Sequence, residues 1–206
     1  MYLIETYIKP AYLLKSVYKI LLFAGLPLCY CLIDKNFKFK EYFVINDKKQ
    51  ILVAAALGIG VYFGILIVYF IIKGFIDLDN ITKQLNNNLN INKENFIFVS
   101  LYISFVNSML EELFFRGFGF LTLSKNSSIK YSYCISALTF SIYHVSILAN
   151  WFNMVIYIVF ILGLFVTGIF FNWLNQKNNN LYNSWIVHMS ANLSINTIGF
   201  MMFGII

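Results

Sequence analysis

Six stretches of this chain run for about twenty residues with almost no charge, at about residues 12–33, 51–73, 96–123, 131–149, 152–174 and 182–206. A helix rises about 1.5 Å per residue, so about 20 apolar residues cross the roughly 30 Å hydrocarbon core of a bilayer. Lipid offers no partner to a bare N–H or C=O, so such segments satisfy their own backbone as helices. The expected fold is therefore all-α: a polytopic transmembrane bundle of about six spans, forming a single integral-membrane domain over residues 1–206. The composition agrees, with 60% hydrophobic and 12% charged residues, whereas soluble domains run nearer about 45–50% and 25%.

The net charge of +6 does not point to nucleic acid. The lysines lie between the apolar runs and not in a patch interleaved with exposed aromatics, the arrangement expected beside a lipid surface. Loops after spans one, three and five hold Lys35, Lys38, Lys40, Lys48, Lys49, Lys125, Lys130 and Lys177. The opposite side holds Lys9, Lys15, Lys19, Lys73, Lys83 and Lys93, so the positive-inside rule leans towards cytoplasmic odd-numbered loops. Lys9, Lys15 and Lys19 also precede LLFAGLPLCYCLI in the manner of a signal peptide. No small-x-small site follows before Asp34, and the segment reads as a retained first span. Cys29, Cys31 and Cys134 form no C-x-x-C pair and read as small hydrophobes. Between spans two and three, Ile81, Leu85 and Leu89 recur every fourth residue, which fits a short interfacial helix; a solvated loop fits equally.

Against this apolar background a few ionisable residues lie deep in the spans: Glu111, Glu112 and Arg116 in the third, His144 in the fourth and His188 in the sixth. A charge at the centre of a membrane helix costs about 2.5–3.5 kcal/mol on insertion scales, so such residues are rarely idle. Counting helical rise from the side shared by the loops after spans three and five puts Glu111 about 18 Å in, His144 about 20 Å, Asn192 about 15 Å and His188 about 9 Å, so they converge on one mid-membrane cavity if helix tilt closes the offsets. Glu112 and Arg116 are four apart, share a helix face and can pair; Glu111, about 100° round the helix, is left to face another partner. His188 and Asn192 share a face, as do Phe140 and His144.

A carboxylate in a dry cavity is a competent general base for water, and histidine and asparagine can donate hydrogen bonds to a developing oxyanion. The set suits amide hydrolysis. Carboxylates and two imidazoles are also acceptable zinc ligands, although H-E-x-x-H is absent and spacing establishes no metal. Each element has a plainer reading too: a structural ion pair, a packed histidine, interhelical polar glue.

The ordered patterns E-E-x-x-x-R (Glu111, Glu112, Arg116), F-x-x-x-H (Phe140, His144) and H-x-x-x-N (His188, Asn192), each in a separate span, resemble the CPBP family of intramembrane proteases. This family, also called Abi, is that of the CAAX prenyl proteases and bacteriocin-processing proteins. The motif-bearing core is about 96–206; the first two spans carry none of the signature. The resemblance implies an endopeptidase acting on a membrane peptide or protein. Glu111 would activate water, with His144 assisting or holding a metal. His188 and Asn192 would stabilise the oxyanion, Glu112 would be catalytic or supporting, Arg116 would give structural or electrostatic support, and Phe140 reads as packing support. A divalent metal such as zinc, if used, would fall to Glu111, His144 and His188. The asparagine-, lysine- and isoleucine-rich composition resembles bacterial members, hence a multi-pass protein of a bacterial cell membrane linked to peptide maturation or bacteriocin self-immunity. Two other classes compete: a non-catalytic scaffold or immunity protein keeping the fold, and a proton-coupled transporter, which would need the broken helix pairs or repeats not evident here.

Overall fold

The structure is a computed structural model describing residues 12–34, 39–45, 47–148, 151–177 and 179–206. Among the described residues the regular structure is all helical. The first span is bent: α1 (Tyr12–Phe23) and α2 (Gly25–Ile33) meet at Ala24. Pro27 lies in the first turn of α2, where its missing N–H and its ring prevent it from continuing the ladder of α1. The second span is α3 (Lys48–Ile72), and α4 (Leu78–Leu89) lies between spans two and three. The third is α5 (Phe96–Asn126), followed by α6 (Ile129–Leu148), α7 (Met154–Gln176) and α8 (Tyr182–Met202).

Four segments, Tyr12–Ile33, Lys48–Phe75, Phe96–Asn126 and Met154–Gln176, are long and apolar enough to cross a membrane. The other two, α6 and α8, have spanning length at 20 and 21 residues but carry more polar side chains. Their polarity faces inward: Ser132, Ser136 and Ser141 of α6 and Asn183, Ser184, His188, Ser194 and Asn196 of α8 are buried. The outer faces are apolar, with Leu52, Ile59, Ile67 and Ile71 of α3 and Val155, Val159, Leu162 and Val166 of α7 all exposed. This is the distribution expected of a bundle that holds together by close packing and interhelical hydrogen bonds instead of hydrophobic exclusion.

Helix α8 packs along α3 and against α5, while α6 lies between α5 and α7. Small residues bring the backbones together. A Cβ on Gly168 of α7 would lie 2.8 Å from Ala137 Cα of α6, and one on Gly58 of α3 would meet Ser190 of α8 at 2.6 Å. The loop after the first span is docked on the bundle: Tyr42 is buried, its carbonyl accepts the Leu181 N–H at 2.9 Å, and its hydroxyl meets Thr122. Tyr42 forms an apolar cluster with Leu113, Phe120, Leu121 and Leu181, which puts the loops after spans one, three and five on a common side.

Of the two readings of the stretch around Ile81, the helix is the one found. Asp77 caps the N–H of Asn80, and Asn90 ends α4 in the left-handed region at φ 54°. Span boundaries move by a few residues, and position 149, expected to end the fourth, lies outside the described residues, as do Lys9, Lys35 and Lys38. Lys19 is a correction. It is not a flanking lysine at a membrane surface but is 5% exposed, on the inner face of α1.

The contact between α6 and α7 has a direct test. Gly168→Leu must displace the Ala137 backbone, and overpacking of this kind costs about 1–3 kcal/mol or more. Gly163→Leu, on the same helix with nothing within 4 Å of the added Cβ, should leave stability unchanged or raise it slightly. Thermal unfolding of the two variants in detergent separates the outcomes.

Candidate active site

The third span is not a uniform α-helix. Over Tyr102–Asn107 and Glu112–Thr122 it is wound as a π-helix, with one α-helical turn, Ser108–Glu111, between the two wide segments. Wide windings of this kind are uncommon and concentrate at functional sites. Here they turn backbone carbonyls towards side chains of other helices. Ser136 Oγ of α6 donates to Phe115 O at 2.9 Å; on α8, Asn192 Nδ2 donates to Ile103 O at 3.2 Å and Trp185 Nε1 to Phe105 O at 3.3 Å.

Glu112, fully buried, opens the second wide segment and is held on both oxygens. Its Oε1 accepts His188 Nδ1–H at 2.8 Å and lies 3.4 Å from Arg116 Nη1; its Oε2 accepts the hydroxyl of Ser184, which is in turn held by Asn175. The expected Glu112–Arg116 pair is therefore present. Arg116, also fully buried, makes no hydrogen bond among the described residues. Its guanidinium instead lies 4.0 Å over the Phe140 ring and 5.0 Å from that of Phe171. A desolvated cation over an aromatic face gains about 2 kcal/mol or more, so Phe140 serves as the floor of the arginine site.

Glu111 faces the other way. Lys19 Nζ of α1 meets its Oε1 at 2.5 Å, and Asn107 Nδ2 donates to the same oxygen at 3.0 Å. Its Oε2 is buried without a hydrogen-bond partner among the described residues and lies 3.6 Å from His188 Nε2 and 3.9 Å from His144 Nε2. The ring protons can be assigned from the partners. His144 Nδ1 sits 2.8 Å from the carbonyl of Phe140, and His188 Nδ1 faces the Glu112 carboxylate, and both partners can only accept. In the neutral imidazoles each Nε2 then carries a lone pair directed at Glu111 Oε2. Three acceptors converge, an arrangement that suits a water molecule with protons to donate.

The sequence matches the family described as type II CAAX prenyl endopeptidase Rce1-like over residues 93–194. The chain belongs to the CPBP family. No curated protein and no solved structure matches it. The matched CPBP segment contains all three motifs and begins after α4, so α1 and α3 lie outside it.

Glu111, Glu112, Arg116, Phe140, His144 and His188 thus meet around one point. Asn192 shares its helix face with His188, and one of its amide hydrogens is committed to Ile103 O. Three participants were not anticipated: Asn107; Lys19, which reads in sequence as a flank; and Ser184, which reads as one hydroxyl among many on α8. Asn107, four residues before Glu111, carried a usable signal, since that spacing places it on the same face. The donor chemistry of Glu111, His144 and His188 is acceptable to zinc, and Glu112 on His188 Nδ1 is the outer partner such a ligand commonly has. Among the described residues, however, no three such side chains are clustered closely enough to enclose an ion.

The Glu112–Arg116 pair yields a prediction. Arg116→Met leaves a fully buried acid uncompensated and should destabilise by about 3–5 kcal/mol. Adding Glu112→Gln, which keeps an acceptor for His188 Nδ1 but no charge, should recover much of that loss. A double variant no more stable than Arg116→Met in thermal unfolding would show that the two charges do not compensate each other.

Proposed function

We propose that the chain is an intramembrane endopeptidase of the CAAX type, in which Glu111 activates water for attack on a peptide bond of a membrane-associated substrate. The observation that carries this reading is the buried Glu111 Oε2, aimed between two imidazole Nε2 atoms while its sister oxygen is held by Lys19 and Asn107. A water between them donates one proton to Oε2 and the other to an Nε2 lone pair, and its own lone pair faces the substrate carbonyl. As the C–O bond forms, the first proton passes to Glu111 and the carbonyl π pair moves to oxygen. When His188 has taken up a second proton from bulk water as an imidazolium balanced by Glu112 on Nδ1, its Nε2–H is a donor to that oxyanion and the water's second hydrogen bond falls to His144 Nε2; the second amide hydrogen of Asn192 is a further donor. Collapse breaks the C–N bond, and the Glu111 proton goes to the leaving amine. His144, its Nδ1 fixed on Phe140 O, keeps its Nε2 on the water.

A divalent metal could be held by Glu111, His144 and His188 only if these side chains closed in on one another from their present places, and it would then supply Lewis-acid activation of the same water. The whole chain acts as one domain in this reading, since α1 reaches the catalytic carboxylate. Composition supports a bacterial cell membrane as its location, with maturation of membrane peptides or bacteriocin self-immunity as its role.

The deciding experiment uses the purified full-length protein in liposomes with a quenched-fluorescent prenylated peptide ending in a CAAX box. Glu111→Gln should abolish cleavage, a loss of about 10²–10⁴-fold or more for a general base, while the protein stays folded. Wild-type turnover by folded Glu111→Gln would refute the assignment and favour a scaffold. In the same assay Asn192→Ala should lower kcat by about 10²–10³-fold with KM little changed. Stoichiometric zinc in active protein, lost on His188→Ala, would move His188 from oxyanion donor to ligand.

A further inference from the structure

We propose that Lys19, on a span outside the family-matched segment, is a positioning residue of the active site that fixes which oxygen of Glu111 is presented for catalysis. This rests on Glu111 acting as the base. The geometry is a closed triangle. Lys19 Nζ donates to Asn107 Oδ1 and to Glu111 Oε1, and Asn107 Nδ2 donates to the same Oε1. Both donors converge on one oxygen, and among the described residues none reaches the other. A carboxylate gripped by one oxygen from two directions loses its freedom to flip, and Oε2 is left facing His144 and His188. The lysine is itself constrained, since its ammonium lies 4.8 Å from the Tyr143 ring centre and 5.4 Å from that of Phe23.

A second observation separates this from simple charge balance. Among the described residues Arg116 balances Glu112 without a hydrogen bond, by proximity and aromatic stacking. Lys19 instead approaches Glu111 at hydrogen-bonding distance and brings a neighbouring amide with it. A compact ammonium can direct its donors separately at Asn107 and Glu111, whereas a planar guanidinium offers a fixed fork that matches both oxygens of one carboxylate. Arginine in this position would be expected to engage Oε2 as well, the oxygen that must stay open.

The test compares Lys19→Met, Lys19→Ala and Lys19→Arg with wild type, using the liposome assay and the quenched CAAX peptide. Misplacing a reacting group by about 1 Å can cost about 10²-fold. Lys19→Met should therefore lower kcat by about 10²-fold with KM within about threefold. Ethylammonium added to Lys19→Ala should restore at least about tenfold of the lost kcat by refilling the ammonium position. Lys19→Arg, which keeps the charge, should fold normally and remain at least about tenfold slow. Wild-type kcat in Lys19→Met or Lys19→Arg, a loss carried by KM alone, or a folded Lys19→Ala indifferent to ethylammonium would each overturn the proposal. Where Lys19→Met or Lys19→Ala fails to fold, the kcat of Lys19→Arg decides. Failure of the underlying reading looks different, because it requires an active Glu111→Gln.

Discussion

Two carboxylates on consecutive residues, both inside a membrane bundle, are the constraint around which the rest of this protein is organised. Charges at that depth are retained only if something neutralises them, and the chain supplies two cations from two directions. Arg116 comes from the next turn of the same helix and Lys19 from the first span. Each cation is lined by aromatic rings that exclude water without competing for the charge: Phe140 and Phe171 around Arg116, Phe23 and Tyr143 around Lys19. The aromatic cluster of Phe23, Phe115 and Phe140 is therefore part of the electrostatics as well as part of the packing.

The two acids are neutralised differently, and the difference fits the separate roles proposed for them. Glu112 has a partner on each oxygen and none to spare, so its carboxylate is fixed, and through it the ring of His188. Glu111 has both hydrogen-bond donors on one oxygen and an open face on the other. An immobile acid beside a half-open one is what a site needs when one carboxylate orients and the other exchanges a proton. A transporter that relays protons through these groups would need Glu112 to release its partners as well, and four side chains would move with it.

Much of this was legible in the sequence. The Glu112 and Arg116 spacing gives the pair, the long uncharged runs give the bundle, and the placement of His144 and His188 inside those runs points to a shared cavity, although helical rise alone leaves the two histidines at different depths. Lys19 was hidden because a lysine near the amino end of an apolar run has the same appearance whether it flanks a membrane or enters a site; only the angular position of α1 against α5 separates the two. The wide winding of α5 was hidden for a related reason. An i, i+4 pair of opposite charge is read as α-helical, and the pair survives in the π-wound turn. Polarity on α6 and α8 weakened the signal for spans there, since a helix whose serines and asparagines bond its neighbours averages out as half-polar.

Those polar residues explain how the site keeps its register. Lipid contacts are indifferent to a helix sliding along its axis, and packing of small residues constrains it only weakly. Directional bonds do constrain it. Trp185, Asn192 and Asn196 of α8 reach Phe105, Ile103 and Ser100 of α5 in antiparallel order, each through a main-chain carbonyl. A shift of one turn, about 5.4 Å, would break all three at once and carry His188 away from both glutamates. Two of the carbonyls, Ile103 and Phe105, belong to the wide segment Tyr102–Asn107, where a looser winding leaves them open to side-chain donors. The unusual winding of the third span and the polarity of the last are thus two halves of one device. Together they hold a histidine on one helix within 4 Å of a carboxylate on another, in a medium that would otherwise let the helices slip.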